Sequence, residues 1–177
     1  MTEAVPSFED FRSAYDAGRP QIVARSVVAD LDTPVSAWIK LGAGDPYAFL
    51  LESVQGGETR GRYSIIGLKP DIIWRCRGAK AELNLKALEA PDAFVPEAKA
   101  PLASLRDLLA RTRLELPPAL PPMASGVFGY LGHDMVRLME RLPAQKPDPL
   151  GLPDAIMVRP TIVAIFEFGT FGEMYSP

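Results

Sequence analysis

Apolar positions in this chain recur at two spacings, and each spacing marks out its own elements. Phe8, Phe11 and Tyr15 share one side of a helical repeat. Ser7 stands ahead of them as an N-cap with Asp10 in the capping-box position, and Gly18-Arg-Pro20 ends the run. Residues 22–28 are rich in β-branched side chains and predict a strand. Thr33-Pro34 starts a second, short helix whose buried face is Trp38, Ile39 and Leu41. Residues 47–51 are aromatic and apolar without a breaker and predict a strand. A flexible Gln55-Gly56-Gly57-Glu58 turn follows, and a further strand begins near Arg62 and runs over 63–66. Residues 71–77 and 79–85 predict two strands turning at Gly78. Residues 90–101 form a loop, and Leu102, Leu105, Leu108 and Leu109 predict a helix from about 102 to 114.

Pro117-Pro118 and Pro121-Pro122 make a stiff connector. Residues 126–131 predict a strand whose glycines admit a close neighbour. Residues 134–142 predict a helix with Met135, Leu138 and Met139 facing inward. Residues 143–153 carry four prolines and form a loop. Residues 155–168 are long and apolar, and Pro160 divides or bends them. The sum is an α+β fold, a mostly antiparallel sheet with flanking helices. Strands outnumber the helices that could cover them, so an uncovered apolar face and a missing partner layer are expected.

The polar chemistry concentrates where the strand 47–51 ends. Glu52 and Ser53 follow it, and Arg62, Tyr63 and Ser64 return beside them if the two runs pair as a hairpin. A carboxylate, two hydroxyls, a guanidinium and a phenol ring suit a zwitterion with an aromatic side chain. The same residues also suit a solvated strand end with Arg62 paired to Glu58.

Composition narrows the field. The chain has 177 residues, 47% hydrophobic and 23% charged, with net charge -3. That size supports one domain with a sizeable core, and the charge gives no footprint for nucleic acid or an anionic membrane. No apolar run reaches the roughly 18 residues of a transmembrane helix, and the start of the chain lacks the pattern of a secretory signal. Cys76 is the one cysteine and His133 the one histidine. Cys76 is expected to pack as a small hydrophobe and His133 to be structural. A single cysteine fits a reducing cytoplasm. With neither a zinc set nor a dinucleotide fingerprint, the residues favour a binding module over a complete enzyme.

Four ordered motifs go beyond spacing: Leu50-Leu-Glu-Ser53, Gly61-Arg-Tyr-Ser-Ile-Ile-Gly67, the stretch from Gly126 to Pro143 containing Gly-Tyr-Leu-Gly-His-Asp, and Asp148-Pro-Leu-Gly-Leu-Pro-Asp-Ala155 with Arg159-Pro160. Over about residues 5–168 they resemble the N-terminal region of anthranilate synthase component I, a chorismate-utilising enzyme. Residues 169–177 depart from its pattern, and His133 stands where the family commonly has tyrosine. The resemblance implies the first part of a larger two-layer fold, in which the catalytic, chorismate-binding domain and its Mg2+ residues lie outside residues 1–177. No catalytic or metal residue is therefore assigned here, and the chain alone is expected to make no anthranilate.

The family makes anthranilate from chorismate for L-tryptophan synthesis. It takes ammonia from a glutamine amidotransferase component II and is inhibited by L-tryptophan. The resemblance places an L-tryptophan site at Leu51, Glu52, Ser53, Arg62, Tyr63 and Ser64. Glu52 and Ser53 would meet the amino group, and Leu51 would support the indole. The matching portion of aminodeoxychorismate synthase and a non-catalytic interaction module remain the alternatives.

Overall fold

The computed structural model describes residues 4–52, 63–143 and 148–167. Its strands are β1 (Phe49–Glu52), β2 (Tyr63–Arg77), β3 (Lys80–Asn84), β4 (Val95–Pro96), β5 (Phe128–Leu131) and β6 (Ala155–Glu167). Its α-helices are α1 (Phe8–Asp16), α2 (Pro34–Leu41) and α3 (Pro101–Arg111). The strands join in the order β4-β3-β2-β6-β5, and β1 also pairs with β2. The β1–β2, β2–β3, β3–β4 and β5–β6 ladders are antiparallel. The expected α+β class with a mostly antiparallel sheet is what forms.

The central difference from the sequence reading is β2. Two expected strands, 63–66 and 71–77, are one strand of 15 residues. Its first half pairs with β1, from Phe49 opposite Gly67 to Glu52 opposite Ser64. Its second half pairs with β3, from Ile73 opposite Asn84 to Arg77 opposite Lys80. Between the halves Lys69 has φ 50, a left-handed conformation that bends the chain without ending the strand. Residues 155–167 likewise form one strand across Pro160.

The chain divides into two compact units. One comprises 1–68, 114–125 and 163–177; the other comprises 69–113 and 126–162.

The second unit has the deeper core. Ile72, Trp74 and Cys76 of β2, Ala81 and Leu83 of β3, Leu105 and Leu108 of α3, Met135 and Ala155 pack as one buried cluster. Buried polar atoms there find partners. The Trp74 indole N–H donates to Ser104 Oγ at 3.0 Å, and the Ser104 hydroxyl donates to Glu97 Oε2 at 2.9 Å. Asn84 donates to the Ala90 carbonyl and accepts from the Lys86 N–H. Asp154 ties three segments: its carboxylate accepts from the Gly78 N–H at the β2–β3 turn, its N–H donates to the Cys76 carbonyl, and its carbonyl accepts from Gly132. Arg159 forms a two-pronged pair with Asp71, at 2.9 and 2.5 Å. That bond holds the guanidinium above its ordinary pKa. Gly129 serves the close approach expected of it, since a Cβ there would collide with the Ile156 carbonyl of β6.

In the first unit, Ala37, Ile66 and Leu68 form a small buried cluster, with Trp38, Ala48, Leu50, Ala164 and Phe166 against it. Helix α2 starts as expected: Thr33 Oγ1 accepts from the Ser36 N–H and Ser36 Oγ accepts from the Thr33 N–H. Asp32 accepts from Lys40 and from the Ser36 hydroxyl, which together lower its pKa. The buried face of α2 is Pro34 and Ala37, while Ile39 and Leu41 face solvent. Helix α1 is capped by Ser7, which accepts from the Asp10 N–H. Gly18, at φ 65, follows its end.

Four local expectations are corrected. Residues 22–28 form no strand; a single bridge joins Val5 and Ala24, while Val23, Val27 and Val28 are exposed, so β-branching found no sheet to join. The loop at 90–101 contains β4, drawn into the sheet by β3. The helix at 134–142 is a 3-10 run, His133–Leu138, with Met135 buried and Met139 exposed. His133 has an 87% exposed side chain, so it packs no core.

Candidate functional site

The antiparallel register of β1 and β2 builds the site. Residues directly opposite each other in such a pair point to the same face, so Leu50 and Ile66 share one face with Glu52 and Ser64. Leu50 and Ile66 belong to the small apolar cluster beneath α2. Glu52 and Ser64 continue that face to the end of the ladder that adjoins residues 53–62 in sequence. Glu52 is exposed and Ser64 is fully buried.

The strand itself ends less deeply than its composition suggested. Tyr47 lies in a turn with φ 65, and β1 begins at Phe49. Leu51 and Glu52 are exposed rather than leaving a buried strand. Phe49 lies opposite Gly67, and its ring occupies the space that a Cβ at Gly67 would need. Gly67 therefore serves packing inside β2 rather than a turn.

Of the six residues proposed from the sequence, Leu51, Glu52, Tyr63 and Ser64 lie in the described part. Ser53 and Arg62 lie outside the described residues, as does the turn at 55–58. The strand period of two brings Glu52 and Ser64 together and sets Leu51 and Tyr63 on the opposite face. The Tyr63 hydroxyl is 3.5 Å from Glu167 Oε1 at the far end of β6. Local sequence carried no signal for that pairing, because the two residues are 104 positions apart.

Ser64 is the chemical anomaly. Its Oγ is the buried side-chain polar atom without a hydrogen-bond partner among the described residues. Leaving such a group unpaired costs about 1–3 kcal/mol, and buried hydroxyls normally find partners. A buried hydroxyl opposite an exposed carboxylate offers a ligand one neutral hydrogen bond and one charge-assisted bond to an ammonium.

Elsewhere the described residues offer less. No group of three or more His, Cys, Asp and Glu could hold a metal ion among them. No described helix is long and apolar enough to cross a membrane. A shallow cleft of about 440 Å3 is lined by Glu97, Lys99, Asp107 and Arg111, but Lys99 and Asp107 already pair with each other. Cys76 is buried and free, and burial pushes its thiol up to about 11.

No family model matches the chain. Individual relatives do. The chain is 52% identical over 168 residues to anthranilate synthase component 1 of Cereibacter sphaeroides, covering 95% of this chain and 33% of that protein. It is 41% identical over 143 residues to the component 1 of Thermus thermophilus, covering 81% of this chain and 29% of that one. The crystal structure of anthranilate synthase component I from Streptococcus pneumoniae aligns with a TM-score of 0.50 and 20% identity, over 83% of this chain and 29% of that chain. That likeness concerns the fold. The chain thus spans about a third of the length of the curated relatives it matches. It is a relative of anthranilate synthase component 1, alike to it over that third.

Proposed function

We propose that this chain is the N-terminal, tryptophan-sensing portion of an anthranilate synthase component 1, acting in the cytoplasm in the synthesis of L-tryptophan. The observation that carries the reading is the buried Ser64 hydroxyl, without a partner among the described residues, opposite Glu52 at the β1–β2 strand end. Glu52 attracts the ligand ammonium, and the Ser64 hydroxyl meets a polar atom of the same ligand. Ser53 and Arg62, adjoining the two strand ends in sequence, supply a second hydroxyl and a cation for the ligand carboxylate. Leu51 and Tyr63 line the reverse face of the hairpin, where they support the strand end that presents Glu52.

Turnover of chorismate to anthranilate, with its Mg2+ ion and the ammonia from a glutamine amidotransferase component II, belongs to the part of the family protein that this chain does not span. Inhibition is then a coupling between two separate sites. The curated relatives named above are anthranilate synthases, which favours this reading over the aminodeoxychorismate synthase alternative.

The test joins this chain to the remaining two thirds of an anthranilate synthase component 1. Glu52→Ala or Ser53→Ala should weaken tryptophan inhibition roughly 5- to 150-fold, the loss of about 1–3 kcal/mol of hydrogen bonding. Chorismate turnover should stay largely intact. An unchanged inhibition curve would reduce the motif to a strand end.

A further inference from the structure

Three polar side chains are buried among the described residues: Ser64, Asn84 and Ser104. Asn84 and Ser104 both bond to neighbours. The Ser64 Oγ has no partner among the described residues. Its position on the hairpin is specific. Glu52 stands directly opposite and is exposed. Cross-strand neighbours of this kind have Cβ atoms about 4.5–5.5 Å apart. Ile66, the next residue of β2 on the same face, is fully buried in the apolar cluster, and Leu50 opposite it packs there too. The face thus runs from a solvated carboxylate to a buried hydroxyl to an apolar interior within a few residues.

That gradient sorts the groups of an aromatic amino acid. Its ammonium stays at the exposed Glu52, where water still solvates the pair. A charged group carried inward to Ser64 would give up its water for one neutral hydrogen bond, which is unfavourable. The group that reaches Ser64 is therefore the neutral side chain. An indole has one polar atom, an N–H that can only donate, and a serine hydroxyl oxygen can accept it. We infer that the Ser64 hydroxyl accepts the indole N–H of bound tryptophan and selects this amino acid over aromatic analogues that lack that donor. A ring without the N–H would seal the hydroxyl in unpaired, and a site built around such a bond rejects the analogue that cannot make it.

This inference rests on the tryptophan-sensing reading and deepens it. The probes are L-tryptophan and benzothienyl-L-alanine, which carries a sulfur atom in place of the indole N–H. Inhibition of the joined protein is titrated with each. Tryptophan should inhibit at a concentration roughly 5- to 150-fold lower than its sulfur analogue, the range expected for one buried hydrogen bond. In Ser64→Ala the two curves should draw together, because tryptophan loses its advantage and the analogue does not. In Glu52→Ala both curves should weaken and their ratio should persist, since both ligands carry the same ammonium. Ser64→Ala removes a hydroxyl with no partner among the described residues, so it should keep its urea midpoint. The two ligands compared on the unsubstituted protein test the inference without any substitution. Equal inhibition by both ligands there would overturn it while leaving the tryptophan site standing. So would a ratio that survives Ser64→Ala. Inhibition by neither ligand would overturn the tryptophan site itself, and this inference with it.

Discussion

Two buried serines, Ser64 and Ser104, show how differently the two units of this chain are finished. Ser104 lies in the unit formed by 69–113 and 126–162. It accepts from the Trp74 indole and donates to Glu97, so a fully buried aromatic, a hydroxyl and a carboxylate close one another's hydrogen-bonding needs. Ser64 lies in the other unit, equally buried, with no hydrogen-bond partner among the described residues. The contrast extends to the cores. Among the described residues, the buried cluster that contains Trp74 has nine members, against three in the cluster that contains Ile66. A unit that satisfies its own polar atoms can serve as scaffold. One that leaves a hydroxyl open is suited to receive something else.

Three substitutions test that contrast, and the largest effect lies in the deep core. Trp74→Ala should cost about 3–5 kcal/mol, because it removes a fully buried side chain and opens a cavity. Urea unfolding followed by circular dichroism measures it. A loss near 1 kcal/mol would mean that the cluster around Trp74 is not the stabilising core.

The serine pair comes next, and its value lies in the sign. Ser104→Ala leaves the Trp74 N–H without an acceptor and should destabilise by about 1–3 kcal/mol. Ser64→Ala removes an unpaired buried hydroxyl and should be neutral, or stabilising by about 1 kcal/mol. If both variants lose stability alike, the Ser64 hydroxyl has a partner in the free protein and the contrast collapses.

The smallest effect concerns pH. Burial, and then the charge of Asp154, push the Cys76 thiol up to about 11. An unfolded thiol ionises near 8.5, so the folded chain keeps a proton that the unfolded chain gives up. The stabilising contribution is complete below about pH 8.5 and is lost as the pH rises through 11. Between those values the urea midpoint should fall more steeply for the native chain than for Cys76→Ala. Parallel slopes would show that the thiol carries none of the dependence.

Much of the local structure was legible in the sequence. Ser7 and Thr33-Pro34 mark helix starts through their own side chains and ring geometry. Gly78 marks the β2–β3 turn through its freedom at positive φ. The β1–β2 pairing follows from two apolar runs flanking a glycine-containing segment. These signals act within a few residues, so composition and spacing report them. The kinship was legible too, in the ordered motifs from Leu50 to Arg159.

Other features were decided only by the fold. Residues 22–28 have strand composition, yet among the described residues no strand edge accepts them beyond the bridge at Ala24. The run 134–142 has helical spacing, yet Gly132 and Asp154 hold its start in a tighter turn. Whether Ile39, Leu41 and Met139 are buried depended on what lies opposite them, and among the described residues all three stay exposed. At the candidate site the sequence supplied the residue types. Register then set Glu52 and Ser64 on one face, Leu51 and Tyr63 on the other, and brought Glu167 near Tyr63. Propensity is a property of a short segment, whereas burial, register and the satisfaction of a hydroxyl belong to surfaces that distant segments make together.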